Sequence, residues 1–139
     1  MLVKEVMSKD PVKIDLKKTV FDACKLYKEF KVGCLIVTDE DKCVGIVTER
    51  DLIERTICEQ KNPNTTLMEE IMSSEIKTVH ALDNLEKAIK IMKENNIKKL
   101  PVLKDESIIG IITVTDISKA RPDLSKRFIE SWVKTRWQD

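Results

Sequence analysis

The sequence predicts an α+β fold: two tandem β-α-β-β-α units packed by their sheets about a pseudo-two-fold axis, followed by a C-terminal helix. Three observations predict it. First, Gly45-Ile46-Val47-Thr48-Glu49-Arg50-Asp51-Leu52 returns as Gly110-Ile111-Ile112-Thr113-Val114-Thr115-Asp116-Ile117, a shift of 65 positions from Gly45 to Gly110. The same shift lays Glu5-Val6-Met7-Ser8 on Glu70-Ile71-Met72-Ser73 and pairs Ala23 with Ala88, Leu35 with Leu100 and Val37 with Val102, without a gap. A repeat of this length is one folding unit used twice. Second, each copy carries a helical apolar stripe followed by two β-branched runs. Third, one copy alone is too short for a sizeable core, and burying two sheets against each other is the natural remedy.

The units are placed at residues 1–60 and 66–121, with 61–65 as linker and 122–139 as the terminal helix. Each opens with a short amphipathic helical turn, over 1–7 and 67–72, and Thr66-Leu67-Met68-Glu69 reads as a capping box. Short extended pieces follow near Val12–Ile14 and Lys77–Val79. A helix is predicted from Val20 to Phe30, with Val20, Ala23, Cys24, Tyr27 and Phe30 on one stripe. Its counterpart runs from Leu85 to Asn95, and Asp83 followed by Glu86 is read as its cap. Hairpins follow: Cys34–Val37 with Cys43–Val47, and Leu100–Leu103 with Ile108–Val114, each joined by a polar connector. A last helix starts near Thr48 and near Thr113. In the tail, Leu124, Phe128, Ile129, Trp132, Val133 and Trp137 share one helical face, which reads either as docked on its own domain or as packed onto a second subunit or another protein.

Composition narrows the function. The chain has 25 basic and 24 acidic residues, so no bulk charge recruits nucleic acid or an anionic membrane. Its apolar stretches fall far short of the roughly 20 residues that a membrane span needs. The N-terminus lacks the basic and apolar regions of a signal peptide, and a cytoplasmic location is the expectation. The four cysteines form no CxxC pair and His80 is the single histidine, so no metal site is expected. Cys24 matches Ile89 and Cys43 matches Ile108, and both read as small core hydrophobes. His80 matches Asp15 and reads as a surface polar group. Glu5, Glu70 and Glu94 have no visible partners for metal or acid-base work and read as surface helix charges. With no Ser-His-acid set, P-loop or dinucleotide glycine pattern, no catalytic residue is nominated and the chain is not read as an enzyme.

The strongest constellation is Gly-x-x-Thr-x-x-Asp, at Gly45/Thr48/Asp51 and Gly110/Thr113/Asp116. As a helix cap it needs no further role: Thr serves as N-cap and Asp sits at the third helical position. Two copies in register inside a full repeat suggest more. A carboxylate there can accept both hydroxyls of a ribose, and the threonine hydroxyl can bond sugar or phosphate. Glycine at the strand permits close backbone approach.

The paired signatures, the Val6-Met7-Ser8 opening and the Lys99-Leu100-Pro101-Val102 run resemble a tandem pair of CBS domains, or Bateman module, of the stand-alone bacterial or archaeal type. The resemblance covers about residues 2–121. It implies two clefts between the units and an adenosyl ligand, AMP, ADP, ATP or S-adenosylmethionine, with no other cofactor. By position it assigns Asp51 and Asp116 to ribose, with Thr48 and Thr113 beside them and Arg50 and Thr115 one step on. Lys98 and Lys99 are assigned to phosphate. Adenine-lining positions fall at Pro11–Lys13, including Val12, with Gly33–Leu35, and at Ile76–Thr78, including Lys77 and Thr78, with Lys98–Leu100. The copies differ: Gly33-Cys34 stands where the other has Lys98-Lys99, which favours the Asp116 cleft for a phosphorylated ligand. The expected role is a regulatory sensor that passes occupancy to a partner, built as a homodimer on helical faces. The alternative is an interaction scaffold with vestigial clefts.

Overall fold

The structure, a computed structural model, describes residues 1–124 and Lys126. It is an α+β fold with two sheets, and the chain divides into two compact units. One unit is Pro11–Ile76. The other joins Met1–Asp10 to the described residues from Lys77 onward.

The Pro11–Ile76 unit contains β2 (Lys13–Asp15), α2 (Val20–Phe30), β3 (Cys34–Asp39), β4 (Lys42–Thr48), α3 (Glu49–Leu52) and α4 (Met68–Ile71), after α1 (Val3–Val6) and β1 (Ser8–Lys9) have gone to the other unit. Its sheet order is β2-β3-β4, parallel then antiparallel. As the central strand, β3 buries Cys34, Leu35, Ile36 and Val37 in succession, the continuous apolar run of a strand covered on both faces. The second unit contains β5 (Val79–His80), α5 (Leu85–Asn95), β6 (Lys99–Lys104), β7 (Ser107–Thr113) and α6 (Val114–Ala120). Its sheet order is β1-β7-β6-β5.

Strand β1 exposes an exchange. The opening of the first repeat packs in the unit of the second, and the opening of the second packs in the unit of the first. Ser8 pairs with Ile111, and the matching Ser73 pairs with Ile46. Val3 N–H donates to Asp83 and Lys4 N–H to Ala81; Met68 N–H donates to Lys18 and Glu69 N–H to Leu16. These are the same bonds, each moved by one repeat. Val3 and Met68 are fully buried where they dock. The folded units therefore differ from the boundaries 1–60 and 66–121 read along the chain. A repeat is a period in sequence, and the opening turn of each period covers the neighbouring copy's sheet edge and α-helix.

Both long helices have the predicted bounds. Thr19 caps α2 reciprocally with Asp22. The backbone N–H of Thr19, then its hydroxyl, holds the Asp22 carboxyl below its ordinary value. Each helix ends on a left-handed residue, Lys31 and Asn96. The hairpins are tighter than expected. Glu40-Asp41 and Asp105-Glu106 turn with positive φ at both positions, so the strands run on through residues read as connectors.

Several local readings are corrected. Asn84, not Asp83, caps α5, its side chain accepting from Lys87 N–H at 2.9 Å. Asp83 accepts from His80 N–H, and Glu86 takes no part in the cap. Glu70, not Glu69, reaches back at the start of α4, to Leu67 N–H at 2.6 Å. Thr66 instead donates its hydroxyl to Asn62. Glu5 does the same as Glu70 for Leu2 N–H, and Glu94 pairs with Lys90 at 3.9 Å; all three glutamates are exposed, in keeping with their reading as surface helix charges. Cys24 is exposed and Cys43 half-buried; the buried cysteine is Cys34. On α2, Leu26 and Tyr27 pack against the core and Phe30 is exposed. A strict one-in-four stripe misjudges α2 by about one residue in its last turns. The linker is bonded into its unit, with Val20 N–H on Thr66 and Phe21 N–H on Pro63.

After α3 the chain widens into a π-helical stretch, Ile53–Ile57, in which Thr56 Oγ1 is buried without a hydrogen-bond partner among the described residues. The tail helix read over 122–139, with Trp132 and Trp137, lies outside the described residues except for its first few. There Arg121 holds Asp123 through two bonds, at 3.0 and 2.8 Å, and Leu124 packs on the second unit's core.

Candidate functional site

In each unit the last long strand runs into a helix at a threonine. Thr113 ends β7 and caps α6: its hydroxyl accepts from Asp116 N–H at 3.1 Å, and its own N–H donates to Asp116 Oδ2 at 3.0 Å. Thr48 and Asp51 repeat this at the β4–α3 junction, at 3.3 and 2.9 Å. The reciprocal bonds lock the rotamer of each aspartate and aim its remaining oxygen away from the cap. The cap reading of the motif is therefore correct in both copies. It leaves one carboxylate oxygen in each for other contacts.

What meets that oxygen differs. Ser8, delivered by β1, places its hydroxyl 3.3 Å from Asp116 Oδ1 and 3.4 Å from Oδ2. Arg55 places Nε 3.7 Å from Asp51 Oδ1, from one turn further along the chain. Neither residue is among the site positions read from sequence, where Ser8 stands only in the Val6-Met7-Ser8 opening. Ser8 lies 108 positions from Asp116, and only the segment exchange brings them together. The Arg55 contact was readable as an i, i+4 pair.

The remaining predicted residues sort by unit. Lys99 pairs with Thr113 across β6 and β7, and the carbonyl of Lys98 accepts from Val114 N–H at 3.1 Å. Both lysines thus flank the α6 start, with Thr115 exposed on the first turn. Lys77 and Thr78 lead into β5, in the same unit. In the Pro11–Ile76 unit, Cys34 pairs with Thr48, Gly33 precedes it, and the Val12 carbonyl accepts from Ile36 N–H at 3.0 Å. Arg50 turns to solvent and pairs with Glu54 at 2.8 Å, which holds its guanidinium above its ordinary pKa. It does not join Thr48 and Asp51.

The glycines of the motif serve packing. A Cβ on Gly45 would stand 2.5 Å from the Met72 sulfur, and one on Gly110 would stand 2.6 Å from the Met7 sulfur. The close approach that glycine permits is by the exchanged methionine, inside the unit. An open groove of about 420 Å³ beside β2 and α2 is lined by Lys13, Lys18 and Lys25 against Asp15, Asp22 and Glu29, so it has no net charge to select an ion.

The family model for the CBS domain matches residues 3–57 and 68–123. An uncharacterized protein of Methanopyrus kandleri is 32% identical over 124 residues, 88% of this chain and 63% of that protein. The chain therefore spans less than two thirds of that relative's length. Among solved structures, a CBS-domain protein from Burkholderia ambifaria superimposes with a TM-score of 0.81 at 28% identity, over 88% of this chain and 96% of that one. The CBS domain pair of protein MJ0100, in complex with 5′-methylthioadenosine and S-adenosyl-L-methionine, superimposes with a TM-score of 0.78 at 28% identity, over 89% and 98%.

Proposed function

This chain belongs to the CBS-domain family as a tandem pair, and we propose that it is a regulatory module that binds an adenosyl ligand and passes its occupancy to a partner. The observation that carries this is the pair of locked Thr/Asp helix starts, Thr113/Asp116 and Thr48/Asp51, each with one carboxylate oxygen held in the cap and the other lying outside it. A fixed carboxylate beside a threonine suits the vicinal hydroxyls of a ribose. Charge-assisted bonds of that kind contribute about 1.5–3 kcal/mol each. Lys98 and Lys99 flank the α6 start and suit a phosphate or another anionic group. The complex of the MJ0100 pair with two adenosyl compounds supports this ligand class. Within the class, AMP, ADP, ATP and S-adenosylmethionine remain the candidates.

Occupancy can be transmitted only if the ligand prefers one of two states. Ile53 and Ile57 lie one turn apart and are 57% and 62% exposed, an apolar strip suited to a homodimer face or a regulated partner. Calorimetric titration with AMP, ADP, ATP and S-adenosylmethionine tests the reading. Binding that is lost in Asp116→Ala or Asp51→Ala supports it. Binding unchanged in both removes the ribose role, and no binding of any of the four removes the ligand class.

A further inference from the structure

The two helix starts differ in what already holds their carboxylates, and from this we infer that Arg55 keeps Asp51 out of ligand binding, so that the chain takes one adenosyl ligand, at Asp116. The inference rests on the proposed ribose role of these aspartates. Both oxygens of Asp51 are committed. Oδ2 accepts from the N–H and the hydroxyl of Thr48 at 2.9 and 3.2 Å, and Oδ1 faces Arg55 Nε at 3.7 Å. The guanidinium is anchored as well: Nη1 donates to the carbonyls of Ile71 and Met72, at 3.0 and 3.2 Å, where α4 ends. Asp51 is 14% exposed and Arg55 49%, so solvent screens the attraction only from the guanidinium's side.

At the other start the position matching Arg55 is Ala120. Asp116 Oδ1 meets the Ser8 hydroxyl at 3.3 Å. Ser8 is neutral and exposed, so a ribose hydroxyl can replace its bond one for one while the serine turns to water. A ribose at Asp51 would instead have to displace a cation, exchanging an ion pair for bonds from a neutral donor. The residues beside each start agree. Lys98 and Lys99 flank Thr113, whereas Gly33 and Cys34 stand beside Thr48.

The test is calorimetric titration of the full chain with AMP and with S-adenosylmethionine, on the natural protein and three variants. The expected result is one site per chain in the natural protein. Arg55→Met keeps that site and gains a second, which disappears again in Arg55→Met/Asp51→Ala. Ala120→Arg places a guanidinium one turn beyond Asp116 and weakens the native site at least tenfold. Should Arg55→Met fail to fold by circular dichroism, Ala120→Arg decides. Two sites in the natural protein, one removed by each aspartate variant, would overturn this inference and leave the ligand class standing. A folded Arg55→Met chain that stays at one site would overturn it too, as would an Ala120→Arg chain that binds like the natural one. No binding of either probe by the natural protein would overturn both this and the reading beneath it.

Discussion

Met7 fills the space that Gly110 leaves empty. Its sulfur lies 2.6 Å from where a Cβ on Gly110 would stand, and the carbonyl oxygen of Ser8 lies 2.7 Å from the same point. Met72 occupies the matching space at Gly45, its sulfur 2.5 Å away, and the three nearest atoms there all belong to its side chain. The difference decides how each site answers a substitution. A methionine side chain can turn aside, but Ser8 O belongs to the β1–β7 ladder and cannot move without breaking it. Gly110→Ala is therefore expected to cost about 1–3 kcal/mol, the range for overpacking, and Gly45→Ala less. Urea unfolding of the two variants measures the order; Gly45→Ala as the worse would refute it.

The exchanged segments predict where a core mutation is felt. Met68 is fully buried against the core of the Pro11–Ile76 unit, although it belongs to the second sequence repeat. Met68→Ala should cost about 2–5 kcal/mol. Its amide-exchange signature should be faster exchange in β2, β3 and β4, with β6 and β7 little changed. Acceleration confined to β6 and β7 would mean that each repeat folds on itself.

Alkaline pH should loosen the Pro11–Ile76 unit through Tyr27. Its hydroxyl donates to the Val47 carbonyl at 2.6 Å. Burial, then the negative groups around Cys34, Glu49 and Asp51, pushes the phenol well above its ordinary value of 10.0. The folded phenol therefore keeps its proton where the unfolded one has lost it. The unfolded state then binds fewer protons, so stability falls as pH rises above about 10. Tyr27→Phe removes this dependence at a cost of about 0.5–1.5 kcal/mol at neutral pH. Unfolding midpoints at pH 8 and above 10, compared between the two chains, check it.

Pro101 explains why β5 is shorter than β2. Ile36 N–H donates to the Val12 carbonyl and extends the parallel pair to Lys13. Pro101 holds the matching position in β6 and has no N–H, so pairing starts only at Val79. Pro101→Ile should add one slowly exchanging amide at position 101, bonded to Lys77, and lengthen β5. An amide there that exchanges at the rate of a loop would reject this.

Sequence by itself determined the periodicity of this protein and everything that depends on spacing along one chain segment. The 65-residue shift, the helices Val20–Phe30 and Leu85–Asn95 and the Thr/Asp helix starts all follow from near neighbours, because caps and amphipathic stripes are made within a few residues. Tertiary structure alone decided which copy of each opening segment covers which sheet, because the two copies match so closely that pattern cannot tell self from neighbour. It also decided that Gly45 and Gly110 make room for methionines, that Cys24 faces solvent, and that Ser8 meets Asp116. The asymmetry between Asp51 and Asp116 lies between these cases. Arg55 opposite Ala120 is legible in the text of the chain, but the grip of its guanidinium on the Ile71 and Met72 carbonyls depends on the exchanged segment being in place.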